Sequence, residues 1–161
     1  MFNLDFISAR NKRAAKECQR MSQSGSYSDI TAEIIDDDNM CVSITKNHTN
    51  YAFSIPRNYP FEEPRVNING VGHQTYLKLR SPRLKVALKQ VSGLDCLCCN
   101  TYLCKSNWSP PITMEMIINQ LESFNRYKYL TIVKILLSKI KDKYFNRDID
   151  MELETWIFPK N

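Results

Sequence analysis

Three prolines spaced four residues apart, Pro56, Pro60 and Pro64, follow the β-rich run Tyr51-Ala52-Phe53-Ser54-Ile55. Each fixes φ and none can donate a backbone hydrogen bond, so the strand must end at Pro56. Neither a helix nor a sheet interior can carry the chain through Tyr59-Pro60-Phe61-Glu62-Glu63-Pro64. Residues 30–35 and 40–44, on either side of Asp36-Asp37-Asp38-Asn39, are rich in β-branched side chains and read as a hairpin. Val66-Asn67-Ile68 resumes an extended segment that Gly70-Val71-Gly72 ends. The expectation is a four-stranded antiparallel meander. The acidic run lacks the spaced oxygens and the glycine of a calcium loop, so it reads as a solvated turn. Gly70-Val71-Gly72 opens no recognisable helix and reads as turn geometry rather than a phosphate cradle.

A chain of 161 residues, 43% hydrophobic and 24% charged, suits a single domain with a real core. No apolar run approaches the length that crosses a bilayer, and Asp5 and Arg10 interrupt the N-terminus where a secretion signal would need a continuous apolar core. The expectation is a soluble, cytoplasmic protein, with the nucleus as its other compartment, neither secreted nor membrane-bound. The formal charge of +5, from 22 basic and 17 acidic residues, is too small an excess to imply a nucleic-acid partner. Abundant lysine, asparagine and isoleucine suit a coding sequence of biased base composition, as in some viruses or protists. Of six cysteines, four crowd into the nine residues 96–104. That crowding points to thiol or metal chemistry rather than to disulfide staples.

The helical segments flank the strands. Over residues 5–23, Ala14, Ala15, Cys18 and Met21 alternate at helical spacing with Arg10, Lys12, Arg13, Lys16 and Arg20, which predicts an amphipathic helix with a basic outer face, broken at Gly25. Ser81-Pro82 opens a helix carrying Leu84, Ala87, Leu88 and Val91, and Gly93 stops it. Its Arg80, Arg83, Lys85 and Lys89 carry no interleaved aromatic rings and read as a solvated face. Thr113 caps a helix with Met114, Ile117, Ile118 and Leu121. A separate amphipathic helix is predicted from Tyr129, Val133, Leu136, Leu137, Ile140 and Tyr144. Trp156, Ile157 and Phe158 are expected to pack back on the core. The fold class is α+β.

Two motifs go further. Residues 51–66, with Tyr59-Pro60-Phe61-Glu62-Glu63-Pro64, and the cysteines at 96, 98, 99 and 104 that lead into Trp108-Ser109-Pro110, together resemble the ubiquitin-conjugating enzyme family. Lys12-Arg13-Ala14-Ala15-Lys16-Glu17-Cys18 is similar to the family's first helix, and the segment after Ile112-Thr113 to its second. The resemblance covers residues 10–122, and residues 125–161 form a divergent helix and tail. It implies the family's fold and its activity: ubiquitin, or a ubiquitin-like protein, accepted from an activating enzyme as a cysteine thioester and passed to an amine with the help of a ligase. No cofactor is required. Gly93-Leu94-Asp95-Cys96-Leu97 resembles the family's active-site segment and makes Cys96 the nucleophile. Counting back from Trp108 at the family's usual spacing lands on Asn100, beside Cys99, so Cys98 and Cys99 stand as alternates. His73-Gln74-Thr75 lies where the family carries His-Pro-Asn, which implies a loop-structuring hydrogen bond for His73 and a substitute donor from Gln74 or Thr75. Phe61, Pro110, Pro111, Lys12 and Arg13 match the ligase-binding face. The chain departs from the family in the short connection at residues 46–50 and in the basic helix between His73 and Cys96.

The same cysteines support a second reading. Cys96-x-x-Cys99 has zinc-knuckle spacing, Cys104 can add a third thiolate, and His73 or Cys98 could complete a tetrahedron. The chain would then be a catalytically inactive variant of the fold that binds ubiquitin or another protein, with a structural zinc holding the loop. Cys18 and Cys41 read as small buried hydrophobes.

Overall fold

The computed structural model describes residues 8–36 and 38–144, so the expectation for Trp156, Ile157 and Phe158 lies outside the described residues, as does Asp37. Helix α1 (Ala9–Ser24) starts where the Ser8 side chain accepts from the Asn11 amide and ends at Gly25, whose φ of 68° is the left-handed C-terminal conformation that glycine adopts without strain. Ala14, Cys18 and Met21 are buried as their spacing predicts. Arg10, expected on the basic outer face, is instead 5% exposed, with its Nε donating to Asn11 Oδ1. Lys12, Lys16 and Arg20 do face solvent.

The sheet has five strands rather than four, in sequential antiparallel order: β1 (Asp29–Ile34), β2 (Asn39–Lys46), β3 (Thr49–Pro56), β4 (Arg65–Ile68) and β5 (Val71–Gly72). The β1–β2 turn is closed by Asp36, whose carboxylate accepts from the backbone amides of Asp38 and Asn39 and from the Asn39 side chain. Asp36 therefore serves the turn, as Asp and Asn do elsewhere. The β2–β3 connection is as short as a hairpin allows: Lys46 pairs with Thr49, and Asn47 and His48 both sit at positive φ, 49° and 61°. The extra strand comes from a second turn of the same kind. Asn69 and Gly70, at φ 49° and 80°, fold the chain back so that Ile68 pairs with Val71. An Asn-Gly pair before an apolar residue is the hairpin signal, and it overrides the reading of Gly70 to Gly72 as a plain strand end.

One face of the sheet is apolar at alternate positions. Val42, Phe53 and Val66 lie across from one another, as do Ile44, Tyr51 and Ile68, and Met40 pairs with Ile55. All are buried, together with Ala14, Cys18 and Met21 of α1 and Met114, Ile117, Ile118 and Leu121 of the C-terminal helix. Cys41, between Met40 and Val42, points to the other face and is only half-buried, unlike Cys18. A short helix, α2 (His73–Leu77), follows β5, so His73 begins a helical turn rather than lying in a loop.

Helix α3 (Pro82–Ser92) begins and ends where Ser81-Pro82 and Gly93 predict, with Ala87 and Leu88 buried and Arg83, Lys85 and Lys89 exposed. The two helices expected after Trp108 are one, α4 (Met114–Tyr144), because no glycine or proline interrupts residues 114–144. Thr113 caps it through Met116 N. The chain forms two compact units: one holds the described residues through Lys78 with Cys96–Asn125, the other Leu79–Asp95 with the described residues from Arg126. Within the second unit the apolar stripe of α4 faces outward more than its periodicity predicts. Tyr129, Leu136 and Ile140 are exposed, while Thr131 is buried with its hydroxyl donating to Tyr127 O. No described helix is long and apolar enough to cross a membrane.

The left-handed His48 is a local cost that glycine would remove. We expect His48→Gly to stabilise the chain by about 0.5–1 kcal/mol in urea unfolding, the relief of left-handed strain less the added freedom of the unfolded chain. A destabilised His48→Gly would mean that the imidazole holds the hairpin.

Candidate functional site

The frame of the site is a buried carboxylate. Glu17 on α1 is 4% exposed, and three donors converge on it. Arg13, one turn earlier, and the Tyr59 hydroxyl, at 2.8 Å, both bond Oε1, while the Met114 amide that opens α4 donates to Oε2 at 2.7 Å. A negative group at a helix N-terminus is doubly favoured, by the free amide and by the helix dipole. Burial, and then the neighbouring Glu17 charge, push the Tyr59 phenol well above its ordinary range, so it stays a donor. Glu17 thus ties together α1, the proline loop and the start of α4. Trp108 adds the next link: its Nε1 donates to Pro60 O at 3.0 Å and its ring lies 6.1 Å from that of Tyr59. Arg13 reaches Pro110 O at 3.4 Å.

The cysteine segment sits on this frame between Asp95 and Trp108. Cys98–Asn100 forms a single 3-10 turn, and α2 packs beside it. All six cysteines are free thiols. Cys96, Cys98 and Cys99 place their sulfurs within 4.8 Å of one another. The Cys96–Cys98 separation is 3.0 Å and that of Cys98 and Cys99 is 4.0 Å. Partial burial opposes ionisation of Cys96, but hydrogen bonds from the Cys98 and Cys99 thiols and amides outweigh it and lower its pKa. Burial and the bond to Cys96 push the Cys98 thiol up to about 12. The bond to Cys96 raises Cys99 as well. The triad member whose thiolate is most favoured is therefore Cys96, with its two neighbours as donors. Cys18 contrasts with it: burial pushes that thiol up to about 11.

Each cysteine backbone in the turn is pinned. Asn100 Nδ2 donates to Cys96 O at 2.6 Å, Thr101 Oγ1 to Cys98 O at 2.9 Å, and Asn107 Nδ2 to Cys99 O at 3.0 Å and to Thr101 O at 3.0 Å. Gln120 of α4 closes the segment from below, accepting from Tyr102 N at 2.7 Å and donating to Asn100 O at 3.3 Å. The sequence reading did not find Asn107 or Gln120. An isolated amide side chain carries no periodic or motif signal, although Asn107 directly precedes the recognisable Trp108.

Several expected assignments change. The thiol that joins Cys96 and Cys99 is Cys98, whereas the Cys104 sulfur contacts Ser106 Oγ at 3.3 Å and lies outside the triad. The reason is local: the 3-10 turn brings residues 96, 98 and 99 to one point, and the chain has left that turn by residue 104. His73 is no member of this group among the described residues. It is half-buried, and burial lowers its pKa against a backbone hydrogen bond at Val66. Gln74 and Thr75 are exposed on α2. On the expected ligase face, Lys12, Pro110 and Pro111 are exposed, and Phe61 is 79% exposed. Phe61 is not what packs the two loops together, since Tyr59 and Trp108 do that.

This arrangement offers a thiol of lowered pKa with two thiol donors on a braced turn, chemistry suited to a nucleophile or to a soft metal ion. No protein-family model, curated protein or solved structure matches the chain.

Replacing Glu17 tests the frame. Glu17→Ala leaves the buried Tyr59 hydroxyl and Met114 amide, and the part-exposed Arg13, without their acceptor and should cost about 2–6 kcal/mol in denaturant unfolding. Phe61→Ala removes an exposed ring and should stay within about 0.5 kcal/mol of the parent. Equal effects of the two changes would rule out Glu17 as the brace.

Proposed function

We propose that the chain is a divergent ubiquitin-conjugating-type carrier with Cys96 as its thioester nucleophile. The observation that carries this reading is the place of Cys96. Its carbonyl is held by Asn100 at the start of the segment that leads into Trp108-Ser109-Pro110, which is bonded back to the proline loop through Trp108 Nε1 and Pro60 O. The order of elements agrees with the resemblance: a first helix, an antiparallel meander, a proline loop, a cysteine turn, and a helix after Trp108.

In the proposed reaction the Cys96 thiolate attacks the thioester carbonyl of a modifier held by an activating enzyme. The Cys96 Sγ–carbon bond forms, the donor's sulfur–carbon bond breaks, and the donor thiolate takes up a proton. A substrate amine then attacks the Cys96 thioester, so that a nitrogen–carbon bond replaces the sulfur–carbon bond and the amine proton passes to the released thiolate. Both steps develop negative charge on the carbonyl oxygen. The family's asparagine is replaced by Thr75, so that charge needs another donor. Asn100 supplies one: its amide carries two hydrogens, of which the bond to Cys96 O uses one. Exposed Phe61, Pro110 and Pro111, with Lys12 and with Arg13 bound to Pro110 O, form the face on which a ligase would sit.

Asn100 also favours a second reading. It occupies the position reached by counting back from Trp108, where an active carrier would hold its cysteine. A non-catalytic module of the same fold would bind the modifier without acylation.

The test is a loading assay with activating enzyme, ATP and ubiquitin, resolved without reductant. The expected result is a thiol-sensitive adduct that Cys96→Ala abolishes and that Cys98→Ala and Cys99→Ala retain. Asn100→Ala should slow both loading and transfer, transfer to free lysine by roughly 10²–10³-fold, with the final extent of loading preserved. An adduct that survives Cys96→Ala would remove Cys96 as the nucleophile, no adduct at all would remove the carrier reading, and ubiquitin binding without an adduct would leave the module.

A further inference from the structure

We propose that Cys96, Cys98 and Cys99 bind one zinc ion through three thiolates, and that this ion competes with the acyl group for Cys96. The competition rests on the carrier reading above, whereas the metal site does not.

The geometry points to zinc with little rearrangement. A tetrahedral zinc with sulfur ligands at about 2.3 Å holds its sulfurs about 3.8 Å apart. The separations here are 3.0 Å for Cys96 and Cys98 and 4.0 Å for Cys98 and Cys99, and all three sulfurs lie within 4.8 Å. Shifts of up to about 1 Å in thiol position, within the reach of a χ1 adjustment, complete three corners of the tetrahedron.

The main chain is already organised for this. The carbonyls of Cys96, Cys98 and Cys99 each accept a hydrogen bond from a side chain, those of Asn100, Thr101 and Asn107 respectively. Such outer bonds hold ligands in place before the ion arrives. Three soft sulfur ligands select zinc, or another thiophilic ion, over magnesium or calcium. The fourth corner is not filled by a described Cys, His, Asp or Glu of the group, which leaves it to water or an incoming ligand. Each sulfur binds as thiolate, so thiol protons pass to solvent on binding. A Cys96 lone pair committed to zinc is withheld from a thioester carbonyl, and an acylated Cys96 lacks the negative charge that zinc requires. The two states exclude one another.

The experiment uses the full chain, reduced and stripped with chelator under anaerobic conditions, then titrated with cobalt(II) and afterwards with zinc. The expected result is one cobalt per chain with an intense thiolate-to-cobalt absorption band that zinc displaces. Cys96→Ala, Cys98→Ala and Cys99→Ala should each lower affinity by more than the roughly 10–100-fold that loss of an outer-sphere partner costs, and Cys104→Ala should leave it unchanged. Mass-mapped alkylation of the unmutated chain needs no variant: zinc should protect residues 96, 98 and 99 and leave Cys104 labelled. Absence of the band, or equal protection of Cys104, overturns the site. For the competition, saturating zinc should suppress loading of this chain but not that of a zinc-indifferent carrier in the same tube, and chelator should restore it. Loading that zinc leaves untouched overturns the competition. Cobalt binding by a chain that never loads supports the metal site and counts against the carrier reading alone.

Discussion

The carboxylate of Glu17 is the constraint on which the candidate site depends. It is buried, and removing a charge from water is costly unless donors replace the lost hydration. Arg13, the Tyr59 hydroxyl and the Met114 amide supply those donors, and each comes from a segment that must be in place for the bond to exist. The helix, the proline loop and the start of α4 are therefore coupled: displacing any one strands the charge. From there the linkage runs through the Tyr59–Trp108 contact and the Trp108–Pro60 bond to the segment that begins at Cys96. A rigid scaffold under an exposed loop is the usual way to hold reactive groups at fixed positions.

Much of the fold could be read from residue pattern because hard local rules governed it. Prolines ended β3, Gly25 and Gly93 ended α1 and α3, and Ser81-Pro82 opened α3. The misreadings came from rules weighed too lightly. Asn69-Gly70 was a stronger signal for a hairpin than the paired glycines were for a strand end, and the two-residue β5 is too short to announce itself by alternation. The two apolar patterns, one through Leu121 and one from Tyr129, suggested two helices, but propagation of a formed helix is easy where no glycine or proline intervenes. Arg10 is a tertiary effect: on its own helix it belongs with the basic residues, and only the folded surroundings bury it.

At the site, residue type was legible and partnership was not. Counting cysteines located the cluster, but spacing alone favoured Cys96-x-x-Cys99 with a distant third sulfur. The 3-10 turn decides otherwise, since residues 96, 98 and 99 meet while Cys104 turns to Ser106. Asn100 appeared in the sequence only as the residue on which a count back from Trp108 happened to fall. In the structure it holds the carbonyl of Cys96. Gln120 was invisible because a hydrogen bond between a loop and a helix 18 residues further along leaves no pattern in either segment, and Asn107 because its bonds to Cys99 O and Thr101 O lie within an irregular loop.

The two chemistries proposed for the triad share one physical origin. Hydrogen-bond donors favour the thiolate over the thiol, and the Cys98 and Cys99 thiols, with their amides, do this for Cys96. Donors that are themselves thiols differ from the backbone amides or basic side chains that usually serve an active cysteine, because they can lose their protons to a metal and become ligands. With an acyl donor present, Cys98 and Cys99 would act as hydrogen-bond donors to the nucleophile. With zinc present they would become its co-ligands and Cys96 would be withdrawn from chemistry. The part of that activation supplied by thiols is therefore open to control by metal in a way that the part supplied by amides is not, and the carbonyls of all three cysteines are each held by a side chain.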